Sequence, residues 1–287
     1  MTRPEDVRKT VSTSYARAVE QTKVSSCGCC CSTPATAGVL PMLAGYSPEA
    51  LASLPADAVR SSFGCGNPVA LADIRAGDTV LDLGSGAGID LLLAAKLAGP
   101  RGKVIGVDMT PEMIARAREN AQAAGLDNVE VRQGIIEELP VESASVDFVV
   151  SNCVINLSPE KRRVFAELHR VLKGGGRFSI SDIVAEPMPD WIAAEGLLYS
   201  ACISGAIPEE EYLAGLREAG LAEVEVRDRL TYDASQLAAL LDTDTAGACC
   251  CGSEALPRDQ LARVTEALGG KVASVRVVGR KPEGKAR

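Results

Sequence analysis

Gly77-Asp-Thr-Val-Leu-Asp-Leu-Gly-Ser-Gly-Ala-Gly-Ile-Asp90, followed by Val104-Ile-Gly-Val-Asp-Met109, is the stretch whose reading decides the fold. Thr79 to Leu83 is an apolar run of strand length, and Gly84, Gly86 and Gly88 follow it before an apolar helical pattern at residues 89 to 98. The chain must turn sharply there. A turn without Cβ atoms lets backbone approach a ligand, and the next helix offers unpaired N–H groups at its start. Asp108 ends a second apolar strand, Lys103 to Val107, twenty residues past Gly88. A carboxylate in that place can accept hydrogen bonds from a ribose.

Dinucleotide folds share this layout, so the glycines alone do not name a cofactor. The spacing is G-x-G-x-G with Asp82 two residues ahead, not the G-x-G-x-x-G that accommodates a pyrophosphate. A cationic sulfonium and an amino-acid carboxylate need an acid and backbone donors rather than a phosphate cradle. The segment resembles the nucleotide-binding motif of class I S-adenosylmethionine-dependent methyltransferases. A nicotinamide or flavin enzyme, or a fold kept without its cofactor, stay as alternatives at this point.

Outward from this stretch, strands and helices alternate. Strands are expected near 79 to 83, 103 to 108, 128 to 132, 146 to 151 and 176 to 182, and helices near 89 to 98, 111 to 124 and 160 to 172. Thr110-Pro111-Glu112 reads as a helix start, and Lys173-Gly174-Gly175-Gly176 as a helix stop feeding the fifth strand. Residues 187 to 207 read as a crossover, with a helix near 208 to 219, a sixth strand from Glu223 to Arg227 and a seventh from Val272 to Val278. The fold class is α/β: a doubly wound, seven-stranded, mostly parallel sheet, Rossmann-like, with ligands beyond the carboxyl ends of the strands. Three regions are expected: an N-terminal helical cap with a Cys-rich loop (1–60), the cofactor-binding core (61–230), and a variable C-terminal segment with a Cys cluster and the last strand (231–287). Within the cap, residues 3 to 23 show helical periodicity, and Ser47 before Pro48 starts a short helix.

Composition narrows the partners. The 287 residues are 46% apolar but only 3% aromatic, and the net charge is -8. Base-stacking platforms are scarce and no basic patch is visible beyond residues 280 to 287, which argues against nucleic acid. Met1 to Lys9 is polar, without a secretory leader's apolar run, and no apolar segment reaches the length of a membrane span. The expectation is a cytoplasmic monomer. In a chain of this length and compartment, ten cysteines point to metal binding or chemistry rather than a disulfide scaffold.

In the cofactor pocket, Asp108 is expected to hold the ribose hydroxyls with Met109 beside it. Asp82, close to the Gly84-Ser85-Gly86-Ala87-Gly88 turn, either fixes that turn or faces the methionine ammonium. Ile135 and Ile136 are expected to pack on adenine, with Glu137 as a further candidate. Ser151 and Asn152 end the fourth strand, where the methyl group should point. His169, the single histidine, lies away from the strand rim and is read as structural.

Three of the cysteines stand isolated, each beside the expected cleft. Cys153 follows the fourth strand at the carboxyl rim, Cys65 lies in the turn before the first strand, and Cys202 lies in the crossover after the fifth. Converging thiolates suit a soft, thiophilic centre, whereas structural zinc usually takes four ligands in short paired spacings. Phe63-Gly64-Cys65-Gly66-Asn67-Pro68, Val80 to Gly88 with Val107 to Ile114, Ser151-Asn152-Cys153-Val154-Ile155-Asn156-Leu157 and Ser181-Asp182-Ile183-Val184 together resemble the arsenite S-adenosylmethionine methyltransferases, especially the bacterial ones, over residues 45 to 230.

The resemblance implies that trivalent arsenic, supplied as arsenite, is the substrate and S-adenosylmethionine the methyl donor. It implies that Cys153 and Cys202 hold arsenic throughout, and that Cys65 is the third ligand for arsenite and a later disulfide partner. It also implies a thiol reductant, glutathione or thioredoxin. A fourth family cysteine has no single match among Cys27, Cys29, Cys30 and Cys31. Cys249, Cys250 and Cys251 are candidates for accessory arsenic binding, with a metal clip between the two clusters as the structural alternative. The rival functions are a methyltransferase for a small organic thiol or another metalloid, and a non-catalytic cysteine-rich metal-binding protein.

Overall fold

The computed structural model describes residues 3–24, 41, 44–62, 64, 66–69, 72–193, 198, 202–241 and 257–284. Cys27, Cys29, Cys30, Cys31, Cys65, Cys249, Cys250 and Cys251 lie outside the described residues. Among those described, no helix is long and apolar enough to cross a membrane.

Seven strands form one sheet in the order β3-β2-β1-β4-β5-β7-β6. They are β1 (Thr79–Leu83), β2 (Lys103–Asp108), β3 (Val129–Gln133), β4 (Val146–Asn152), β5 (Leu172–Ala185), β6 (Ala222–Tyr232) and β7 (Val272–Arg280). The first five pair in parallel, and β7 enters antiparallel between β5 and β6. Four consecutive residues of β1 and four of β2 are buried, as expected for central parallel strands covered on both faces. The helix after the glycine turn, α4 (Ile89–Ala98), packs on this sheet and is buried on most of its circumference, because leucine and alanine occupy nearly every position. The order reverses between β1 and β4, so the rim beyond Leu83, Asp108 and Asn152 is where a ligand cleft forms.

The expected fifth strand needs correction. The preceding helix, α6 (Lys161–Val171), ends without a glycine stop, and β5 begins at once at Leu172. Lys173 and the three glycines belong to the strand, and the pairing with β4 shifts register between Val146 and Phe148. Such an irregularity absorbs extra residues without ending the strand.

The N-terminal helix, α1 (Pro4–Val24), lies across the carboxyl rim. Val11 and Val19 are buried beneath it. Arg8 donates through Nε to Glu137 at 3.2 Å and also reaches Glu160. Arg116, on α5 (Pro111–Ala123), donates to the Val19 carbonyl at 3.1 Å and to Asp57 at 2.7 Å. Further along, Ser47 accepts from the Ala50 N–H at 3.1 Å and starts α2 (Pro48–Ala52), with Pro48 in the first turn, and α3 (Ala56–Arg60) follows.

Candidate active site

The glycine turn is a run of left-handed residues, with φ of 64° at Gly84, 51° at Gly86 and 102° at Gly88. Only glycine adopts this at no steric cost. The turn forms the floor of a cleft roofed by Arg8, Val11 and Tyr15 of α1. Gly84, Ser85, Gly86, Gly88, Asp108, Met109, Ile135, Ile136, Asn152 and Cys153 all line it. Asp82 and Ser151 sit just behind, almost completely buried.

Three carboxylates surround the turn. Asp108 accepts from the Gly86 N–H at 2.9 Å and the Thr110 N–H at 2.8 Å. Burial nevertheless raises its pKa against those hydrogen bonds. Asp82 is raised well above the usual range, by burial first and then by the charges of Asp90 and Asp108, while a backbone hydrogen bond from Leu91 opposes. Among the described residues, one Asp82 oxygen, Oδ2, has no partner, nor do the Ser85 and Ser151 hydroxyls. Buried acids raised by mutual repulsion, with an orphaned carboxylate oxygen, favour a cationic ligand. The ammonium and sulfonium of S-adenosylmethionine meet that requirement, and the apolar Ile135 and Ile136 suit its adenine.

Asp90, in the first turn of α4, was not singled out by its sequence, although an acid opening a largely apolar helix two residues after Gly88 was a usable signal. It accepts from the Tyr46 hydroxyl at 2.7 Å and from Asn152 Nδ2 at 3.0 Å. Its pKa is pushed up to about 6 by burial, with those two hydrogen bonds pulling it down. Asn152 lines the cleft at the end of β4, as expected, and its amide is engaged within the protein. Nδ2 also donates to the Tyr46 hydroxyl at 3.0 Å and the Gly66 carbonyl at 2.7 Å, and Oδ1 accepts from the Gly66 N–H at 3.3 Å. Glu137 is likewise occupied, accepting from Ser158 at 2.6 Å and from Arg8 at 3.2 Å, and so anchors α1.

Cys153 and Cys202 come together. The Cys202 thiol donates to the Cys153 carbonyl at 2.8 Å, and both residues are buried in one cluster. Their φ angles are 56° and 62°, and only Ala144 and Glu223 share this left-handed region among the described non-glycine residues. Such a conformation costs on the order of 1 to 3 kcal/mol per residue and is retained where surrounding structure imposes it. Cys202 is free, whereas Cys153 is disulfide-bonded.

Burial pushes the Cys202 thiol far up, and the Asp182 carboxylate adds to this, while a hydrogen bond with Tyr15 and the charge of Lys161 oppose. Tyr15 thus touches the sulfur from the roof of the cleft. It was legible only as part of a ragged apolar helix face, since its partner lies nearly two hundred residues away. Lys161 is itself lowered by burial and donates to the carbonyls of Asn156 at 3.1 Å and Ser158 at 3.0 Å. Asp182, fully buried, accepts from the Tyr212 hydroxyl at 3.1 Å. Cys65 lies outside the described residues, but its neighbours do not. A Cβ on Gly64 would lie 2.3 Å from Asn152 Nδ2, and one on Gly66 would lie 2.7 Å from the Ser181 Cβ. The backbone on either side of residue 65 is therefore pressed against the ends of β4 and β5. His169 lies outside the cleft lining, and its backbone carbonyl accepts from Lys281 at 2.8 Å.

The methyltransferase domain family matches residues 74–220. The arsenite methyltransferase of Halobacterium salinarum is 50% identical over 204 residues, covering 71% of this chain and 52% of that protein. The human arsenite methyltransferase is 35% identical over 169 residues, covering 55% of this chain and 44% of its own length. The chain spans about half the length of the curated relatives it matches. Among solved structures, an arsenic (III) S-adenosylmethionine methyltransferase from Chlamydomonas reinhardtii superposes with a TM-score of 0.64 at 32% identity, covering 83% of this chain and 74% of that one.

Proposed function

Because the chain belongs to the methyltransferase domain family, we propose that it transfers methyl groups from S-adenosylmethionine to trivalent arsenic held by cysteine sulfur, a detoxifying reaction. The observation that carries this reading is the meeting of Cys153 and Cys202, both left-handed, beside a cleft whose buried acids favour a cation. Asp82 and Asp90 would face the amino-acid end of the donor, Asp108 the ribose, and Ile135 and Ile136 the adenine. When bound, the donor supplies a methyl group on a sulfonium.

Arsenite arrives as a neutral trihydroxide. Each cysteine thiol exchanges with one hydroxyl and its proton leaves with that oxygen as water, so Cys202 can enter the exchange although burial keeps it protonated. Arsenic bound to sulfur keeps a lone pair, which is the nucleophile, and no proton needs to leave arsenic. The chain's contribution is alignment: Tyr15 holds the Cys202 sulfur, the Ser181 carbonyl holds the Cys153 N–H at 2.8 Å, and α1 covers the cleft from water. Methylation oxidises arsenic, so two electrons must return from a thiol pair, and the disulfide at Cys153 matches the oxidised end of that cycle. Glutathione or thioredoxin would then reduce it by thiol–disulfide exchange. Cys65 completes the sulfur set for arsenite on sequence grounds, and the expected setting is a cytoplasmic monomer.

The test supplies arsenite, a thiol reductant and methyl-labelled S-adenosylmethionine and follows label into arsenic species. Cys153→Ser and Cys202→Ser should each abolish transfer while donor binding persists. Cys65→Ser should lose activity on arsenite and retain it on methylarsenite, which needs two protein sulfurs. Arsenic binding without labelled product would instead make the protein a metalloid-binding module.

A further inference from the structure

Asn152 links two sites that the sequence treats separately. On one side its Nδ2 reaches Asp90 and Tyr46, and the Tyr46 hydroxyl itself donates to Asp90 at 2.7 Å. On the other side the same amide pairs with both the N–H and the carbonyl of Gly66. Its chain neighbour is Cys153, whose N–H is fixed to Ser181, the residue against which Gly66 packs. The acid end of the cleft, the Gly66 backbone and the sulfur rim thus share one side chain.

We propose that Asn152 is a positioning residue whose amide couples donor binding at the acid end of the cleft to arsenic binding at the sulfur rim. This rests on the function proposed above. A cationic donor beside Asp82 and Asp90 replaces carboxylate repulsion with attraction and holds the Asp90 carboxylate in place. Asp90 and Tyr46 then fix the Asn152 amide, which orders the Gly66 backbone and the start of the rim. Ordering done by the first ligand need not be repeated by the second, so binding is cooperative without any contact between the two ligands. The effect is reciprocal: arsenic should tighten the donor as much as the donor tightens arsenic.

The experiment uses the fully reduced chain and S-adenosylhomocysteine, which keeps the amino-acid end and cannot transfer methyl. Its Kd is measured by calorimetry with and without saturating arsenite. Arsenite should tighten it about tenfold in the native protein and less than about twofold in Asn152→Ala, with both ligands still binding. A merely structural role would weaken both ligands and leave that ratio unchanged. Tyr46→Phe keeps the Gly66 pairing and should cut the ratio to about threefold; it decides alone if Asn152→Ala does not fold. Equal affinity with and without arsenite in the native chain, or a full ratio retained in the folded variants, overturns the inference and leaves the proposed function standing. A native chain that binds no arsenite through Cys153 and Cys202 overturns the proposed function, and this inference with it.

Discussion

Asp90 shows how one residue can set a binding profile. Burial holds it at about 6, and the proposed donor's ammonium prefers the ionised form. Below that pH the donor must expel a proton to bind. Affinity for S-adenosylhomocysteine should therefore climb as pH rises from about 5 to about 6.5 and level off above, by close to tenfold in all. Asp90→Asn should bind more weakly and flatten the climb; calorimetry across that range is the measurement, and an unchanged slope in the variant would assign it to another group. At this scale the sequence was only partly legible. Asp82, Asp108 and the cysteines stood out because motif spacing marks them, whereas Tyr15 and Tyr46 act through partners that no local pattern reveals.

Among elements, the approach to β1 is tightly constrained by contact at Gly64. With Asn152 Nδ2 2.3 Å from the position a Cβ would take, Gly64→Ala must displace that amide. The expected cost is about 1 to 3 kcal/mol, read as a lower urea midpoint at unchanged m. Methyl transfer to arsenite should fall further than stability does, because the displaced side chain adjoins Cys153. A wild-type midpoint together with wild-type turnover would show that the turn yields freely. Helices and parallel strands around residues 79 to 171 were legible to within a residue or two, because buried elements of both kinds leave strong apolar runs. The entry into β5 was not, because glycines that usually stop helices can also run through an irregular strand.

For the whole molecule, the insertion of β7 between β5 and β6 was beyond sequence reading, since pairing order is a property of the assembled sheet. The buried charge of Asp182 also acts at this scale. Burial raises it to about 7, against hydrogen bonding from Ile183, the charge of Lys161 and hydrogen bonds from Tyr212 and Asn156. An unfolded aspartate titrates near 4. Between those values the native chain holds a proton that the unfolded chain has lost, so this group's contribution to stability is complete below about pH 4 and lost as pH rises through about 7. Asp182→Asn should flatten that decline, with a difference of at most about 4 kcal/mol at pH 8. Urea unfolding at pH 5 and pH 8 would show it, and parallel curves for both proteins would exclude it.

The place of β7 also orders events during synthesis. Among the described residues, β6 pairs only with β7, and thirty-nine residues lie between Tyr232 and Val272. As the chain leaves the ribosome, β5 presents a bare edge and β6 has nowhere to dock until the final strand emerges. That interval is when a nascent chain would most need a chaperone, well after the residues of the donor cleft have been made.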